Sequence, residues 1–357
     1  MNKRIGIITY HRANNFGAVL QCYALQTTLI KMGYEAFVID YRQPFTELIY
    51  SPYRWDVVKK GLLAPRLLGG YLFKAFPKLY KRAYLYNQFR NKSLYCTNPI
   101  RQASEMPQDL DVYLIGSDQM WSLHPTNGVI EPVFFGNFPI PNGSSIQGYA
   151  ISSNIVSLHT LGNEYLKQAV NRFKRLSFRE SLIRDEVEQM TGVRGEVVLD
   201  PSLLLDYEDW NKLTSESPIK EPYLLTYFLS DDTDNIDFRN KVEAFGKRNG
   251  LRVVDMYDIA YSPIAFLNTI KYASLVFAAS FHATAFSLLF KKNFYSFRST
   301  DGRDIRYINL LNALNLSQRV ISVDDIDSLQ LVDVDYAKSH LLLNDLRKHS
   351  FQFLETL

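Results

Sequence analysis

Four short stretches gather side chains able to do chemistry. "NNFGAVLQ" (14–21) sets Asn14, Asn15, Gly17 and Gln21 behind the first apolar run. "IGSDQMWS" (115–122) ends a second run in Ser117 and Asp118, and "LSFRE" (176–180) ends a third in Arg179 and Glu180. "SFHATAF" (280–286) places Ser280, His282 and Thr284 where an apolar run meets an apolar helix. An amide-rich, glycine-containing mouth can offer neutral donors to an anion, since backbone N–H groups at a helix start are unsatisfied. A guanidinium at a helix start opposes the helix dipole, so Arg179 is either a surface residue or aimed at a ligand's carboxylate or phosphate, which it can grip with two N–H groups. Histidine is the side chain best matched to proton transfer near neutrality. Each feature also has a structural reading. Asn15 can cap a helix, Asp118 can close a turn, Glu180 can complement a dipole, and His282 can be a satisfied core residue.

The elements that must position these residues are strands and helices in alternation. "RIGIITY" (4–10) and "AFVIDY" (36–41) are apolar, β-branched runs, and Ala18, Cys22, Leu25 and Leu29 between them fall at helical spacing. Strand, helix, strand in this order predicts a parallel unit. Further strands are expected over 111–116, 146–151, 175–179 and 195–200, with helices near 163–173 and 180–190. A second series has strands over 223–229, 252–257, 274–280 and 293–297, with helices near 234–248, 263–272, 283–291 and 304–315. The expected fold is α/β, with two Rossmann-like domains facing a cleft. An N-terminal domain over 1–200 is followed by a linker at 201–222, a C-terminal domain over 223–330 and a last helix over 331–357. Ligands of such sheets bind off the carboxyl ends of the strands, where all four stretches fall.

Composition narrows the class. The 357 residues are 46% hydrophobic and 22% charged, the balance of a folded protein. Cys22 and Cys96 are the only cysteines, so neither a disulfide framework nor a zinc cluster is expected, and a cytoplasmic setting follows. A net charge of +3 argues against a nucleic-acid binder. The histidines lack metal-ligand spacing, and "DDTD" (231–234) reads as a helix cap before a metal site. Charge concentrates instead between Arg54 and Lys92, where ten lysines and arginines stand against the single Asp56. This helical insert of the first domain, about 50–95, interleaves the basic residues with Leu62, Leu63, Leu67, Leu68, Tyr71, Leu72 and Phe76. It reads as a helical pair packed on its own domain or as a surface resting peripherally on an anionic membrane.

Taken in order, "NNFGAVLQCYALQ", "IGSDQMWS", "GYAISS", "LSFRE", "VVLDPSLLL", "SFHATAFSLLF" and "RYINLLNALNLSQR" resemble the polysaccharide pyruvyl transferase family. The resemblance implies a GT-B-like enzyme that moves the carbon skeleton of phosphoenolpyruvate onto two hydroxyls of a sugar, forming a pyruvate ketal and releasing phosphate. It implies no metal or cofactor beyond that donor, and an acceptor carried on a polyprenyl diphosphate at the inner membrane leaflet. His282 would then be the general acid, Asp118 would position or deprotonate the acceptor hydroxyls, and Arg179, Arg306 and the mouth at Asn15–Gly17 would bind the donor's charges. Some relatives carry Arg–Leu–His where this chain has Ser280, Phe281 and His282, which passes the arginine's part to Arg303, Arg306 or Arg319. A nucleotide-sugar glycosyltransferase and a non-catalytic polysaccharide-assembly protein are the competing readings.

Overall fold

The computed structural model describes residues 2–357 apart from 62–64, 230–235, 300, 301 and 303. The acidic run 231–234, Leu62, Leu63 and Arg303 therefore lie outside the described residues. Two compact units make up the chain, one running to Pro201 and taking back Phe353–Leu357, the other spanning Ser202–Gln352.

The first unit holds β1 (Arg4–Ile8), β2 (Glu35–Val38), β3 (Val112–Ile115), β4 (Ser145–Ile151), β5 (Phe173–Phe178) and β6 (Glu196–Val197). Its helices are α1 (Phe16–Lys31), α2 (Pro44–Ile49), α3 (Trp55–Gly61), α4 (Pro65–Gly70), α5 (Phe76–Ser93), α6 (Ile155–Leu161), α7 (Asn163–Val170) and α8 (Ser181–Thr191). The strands form one parallel sheet in the order β2-β1-β3-β4-β5-β6. Apolar runs make them because a strand covered by helices on both faces has no solvent side to keep polar. Residues Ile5 to Ile8 are buried throughout, and so are all of Val112–Ile115.

The second unit repeats the plan with β7 (Tyr223–Phe228), β8 (Arg252–Asp255), β9 (Leu275–Ala279), β10 (Asn293–Phe297) and β11 (Val320–Ile321). They alternate with α9 (Tyr207–Asn211), α10 (Ile236–Arg248), α11 (Met256–Ile259), α12 (Pro263–Tyr272), α13 (Phe281–Leu289), α14 (Ile305–Ala313) and α15 (Tyr336–Glu355). This sheet is parallel too, in the order β11-β10-β9-β7-β8. Both units are α/β, and the basic helical insert belongs to the first.

Each order contains a switch point. The chain leaves β1 toward β2 on one side while β3 pairs on the other, and it leaves β7 toward β8 while β9 pairs opposite. Crossovers departing in opposite directions open a crevice beyond the carboxyl ends of the two central strands, where doubly wound sheets hold ligands. The crevices open after β1 and β3 in one unit and after β7 and β9 in the other.

Candidate active site

The loop after β1 is held from three sides. Asn15 caps α1 by accepting from the Ala18 amide at 3.2 Å, in extended backbone suited to a cap. Asn14 donates to the Tyr50 carbonyl at 3.1 Å and accepts from Arg90 at 3.0 Å, while Arg82 donates to the Asn14 carbonyl at 2.9 Å. Gln21 gives its amide to Thr9 Oγ1 at 2.8 Å and is fully buried. Gly17 is buried in the first turn of α1. Asn14 and Gln21, expected to offer donors to a ligand, give these amide N–H groups to the protein itself, while Gln21 Oε1 is buried with no hydrogen-bond partner among the described residues. Asn15 keeps both parts: it caps the helix and lines the adjoining cavity.

One residue back, His11 is buried, with Nε2 3.0 Å from Asp40 Oδ1 and Nδ1 3.2 Å from the Thr9 carbonyl. Arg42 donates to the other Asp40 oxygen at 3.0 Å. Burial alone would raise the Asp40 carboxyl, but hydrogen bonds from His11 and Arg42 outweigh it and hold the group well below the carboxylate range. A depressed folded value contributes stability above the unfolded carboxyl value of about 4 and loses it as pH falls toward the folded one. Asp40→Asn should therefore lower stability by about 1.5–3 kcal/mol at neutral pH. The deficit should shrink below about pH 4, read from urea unfolding of both proteins across pH. A deficit that stays constant across that range would assign Asp40 a packing role only.

The end of β3 turns sharply. Gly116 sits at φ +137°, and a Cβ there would lie 1.9 Å from the Tyr149 carbonyl oxygen, so only glycine passes so close to β4. Asp118 follows at φ 59°, a left-handed conformation that Asp tolerates. Trp121 then anchors the segment in the core, its indole donating to the Phe134 carbonyl at 3.1 Å and stacking on Phe135 at 5.4 Å. In β4 the register slips between Gly148 and Ile151, with Ala150 at φ 49°. Ser177 bridges this bulge by donating to the Gly148 carbonyl at 3.0 Å and accepting from the Ala150 amide at 3.1 Å. A bulge re-aims the residues after it, here Ser152 and Ser153.

These ends converge on a buried ionic cluster. Arg179 donates to Glu180 Oε1 at 2.7 Å, Asp200 Oδ2 at 2.8 Å and Ser152 Oγ at 2.9 Å, and lies 3.7 Å from Asp118 Oδ1. Ser152 donates to Glu180 at 2.9 Å, and Ser117 to Asp200 at 3.4 Å. Burial works to lower the arginine's affinity for its proton, but the three carboxylates more than reverse this and hold it above its ordinary value. The guanidinium needed for a two-pronged grip on a ligand is occupied by the protein's own carboxylates. Glu180 precedes α8 without capping it, and its role is ion pairing with Arg179. Asp200 went unnoticed in the sequence, as its partner is 21 residues away.

At the switch point beyond β1 and β3 lies a cavity of about 550 Å³, lined by Tyr10, Asn15, Phe45, Tyr50, Asp118 and His124 among others. Asp118 is half-buried there. The Tyr10 hydroxyl, buried, meets no hydrogen-bond partner among the described residues. Burial, reinforced by Glu131 and Asp118, pushes its phenol well above its ordinary value, so it remains an O–H donor. Aromatic faces beside an amide, a carboxylate and a hydroxyl suit a polyhydroxy ring, which presents both C–H faces and hydroxyls. Tyr10 was hidden in the sequence because a tyrosine closing an apolar strand reads as core.

In the second unit Ser280 caps α13, accepting from the Ala283 amide at 3.4 Å. Thr284 is buried, with its hydroxyl 3.0 Å from the Ser280 carbonyl and 2.7 Å from Ser296 Oγ. His282 lies in the first turn of α13, half-buried, its ring edge-on to Phe281 at 5.2 Å. This places it at the switch point beyond β7 and β9, on a helix start fixed by Ser280 and Thr284. Arg306 is half-buried at the second position of α14. Arg319 is buried over the Tyr295 ring and donates to the Val332 carbonyl at 2.8 Å. Among the described residues no group of three or more His, Cys, Asp or Glu is placed to hold a metal, and no helix is long and apolar enough to cross a membrane.

A family model described as polysaccharide pyruvyl transferase matches residues 15–301, a span containing Asn15, Asp118, Arg179 and His282. No curated protein matches the chain. Among solved structures it is similar to a putative UDP-N-acetylglucosamine 2-epimerase from Listeria monocytogenes, at 8% identity and TM-score 0.49, over 99% of this chain and 98% of that one. The spinosyn rhamnosyltransferase SpnG aligns at 9% identity and TM-score 0.46 over 100% of both chains. A UDP-GlcNAc 2-epimerase from Methanocaldococcus jannaschii aligns at 8% identity and TM-score 0.44, over 98% of this chain and 100% of that one.

Proposed function

The chain belongs to the polysaccharide pyruvyl transferase family and is a transferase, and from that premise we propose that it builds a pyruvate ketal on a sugar of a polysaccharide precursor, with phosphoenolpyruvate as donor. The observation that carries this reading is the placement of Asp118 and His282, both within the matched span, each at the switch point of its own sheet.

The chemistry assigns their roles. Protonation of the methylene carbon turns it into a methyl group and leaves an oxocarbenium-like centre at C2. His282 supplies that proton as general acid. A sugar hydroxyl adds to C2 and gives its proton to Asp118. The C2–O bond to phosphate then breaks, a second hydroxyl closes the ketal, and its proton leaves with the phosphate. Of the two hydroxyl protons, one balances the new methyl and the other the released phosphate. Arg306 offers a guanidinium to the donor's phosphate or carboxylate. Asn15, Tyr10 and Asp118 receive the acceptor sugar in their cavity, while Arg179, 3.7 Å from Asp118, positions it from behind and Ser117 bonds Asp200 beside it.

The test is phosphate release from phosphoenolpyruvate with a panel of free and polyprenyl-diphosphate-linked sugars, coupled to mass spectrometry of the sugar. Phosphate release that requires the acceptor, with a matching mass gain on it, is expected. Turnover of a nucleotide sugar, with phosphoenolpyruvate left intact by every acceptor, would replace this reading with glycosyl transfer.

A further inference from the structure

The insert packs on its own unit through part of its length. Its second half is anchored: Ala83, Tyr86, Phe89 and Arg90 of α5 are buried, and Arg82 lies over the Phe16 ring at 5.0 Å. Its first half presents apolar side chains to solvent. Phe73 is 84% exposed, Trp55 68% and Leu72 45%, with Tyr53 near half, and Tyr80 and Tyr84 on α5 continue this exposed face. They are not a frayed end, because Tyr71 is buried, takes the Arg54 amide at 3.0 Å and donates to the Pro52 carbonyl. Phe76 packs against the rings of Tyr53, Tyr71 and Tyr80, each at 5.9 Å. The aromatic group is built and held outward.

Lysine and arginine surround it. Lys59, Lys60, Arg66, Lys74, Lys78 and Lys81 are all exposed, and Asp56 is the only acid between Arg54 and Lys92. A cavity of about 370 Å³ opens in the same segment, with Arg54 and Arg66 at a lining of Val57, Tyr71, Ala75 and Leu79. Exposed aromatic and aliphatic groups within a ring of cations are what a bilayer interface accepts: rings at the headgroup level, cations against lipid phosphates. A copy of this chain docking on the patch would bring like charges together, whereas an anionic surface neutralises them.

We propose that the exposed face built by 52–60 and 66–84 docks the protein on an anionic phospholipid bilayer, with Phe73, Leu72 and Trp55 entering the interface and the surrounding lysines engaging lipid phosphates. This depends on the surface alone and stands whether or not the proposed reaction does.

The full chain is sedimented with vesicles of phosphatidylcholine, with and without phosphatidylglycerol. Binding is expected only to the anionic vesicles, and it should be lost at about 1 M salt, where screening acts over about 3 Å. Lys74→Glu/Lys78→Glu/Lys81→Glu should weaken it more than about 100-fold, at roughly fivefold per lost cation. Leu72→Ser/Phe73→Ser should weaken it roughly tenfold or more without changing the charge. These positions are exposed, so both variants should melt with the parent. Absence of binding, equal binding to neutral vesicles, or indifference to either variant would overturn the proposal. So would a dimer that light scattering shows to dissociate in the Leu72/Phe73 variant while vesicles go unbound, since that would make the patch an interface between copies.

Discussion

Replacing Arg179 with methionine should lower the unfolding midpoint by roughly 6–20 °C. The loss corresponds to about 3–5 kcal/mol for removing the guanidinium from a buried ion cluster, in a unit where each kcal/mol moves the midpoint by about 2–4 °C. The reason lies in what remains. The side chains of Glu180 and Asp200 are 3% and 0% exposed, so removing the guanidinium leaves both carboxylates buried without that counter-charge. In the variant two buried carboxylates stand close together without that counter-charge, a cost that protonation relieves, so the gap to the parent should narrow on acidification. Adding Glu180→Gln and Asp200→Asn to the methionine variant should recover most of the loss, because neutral groups of the same shape no longer need a counter-charge. Arg179→Lys should recover less, since an ammonium cannot reproduce the planar fork that reaches Glu180, Asp200 and Ser152 together. An unchanged midpoint in the methionine variant would remove the structural role given to this residue.

That cluster also marks where sequence reading stops. Arg179 is visible in the sequence as a misfit, a cation at a helix start, and the misfit is real. Its resolution is non-local: Asp200 and Ser152 come from other strand ends, and no spacing rule joins them. The strands themselves were legible because buried parallel strands read as unbroken apolar runs. Their order was not, so neither switch point was, and these locate the cavity beside Asp118 and the place of His282. The short β11, at 320–321, carries too few residues for a periodic signal. The left-handed Ala150 inside "IQGYAI" is invisible for a different reason, as alanine gives no hint of positive φ. Asn14 and Gln21 read as donors for a ligand, and their amide N–H groups also bond the protein around the loop after β1. Asn15 shows why the two readings need not compete, since one side chain can close a helix and still border a cavity.

His282→Asn tests the proposed acid, and kcat/KM should fall by a factor of about 10²–10⁴, the usual contribution of a positioned proton donor. The fold should hardly notice. The α13 start is held by Ser280 and Thr284, and asparagine is compatible with a first helical turn. A general acid must begin protonated, so the parent's rate should fall as pH rises through that group's titration, and this limb should be missing in the variant. The same proton has a second signature: in deuterated solvent the ketal's methyl group should carry one solvent deuteron, because the donor's methylene supplies only two of its three hydrogens. Parent-like turnover by the variant would return His282 to a core role. A normal midpoint with a lost alkaline limb would instead tie the proton to the ring, since a change in packing alone leaves a pH profile where it was.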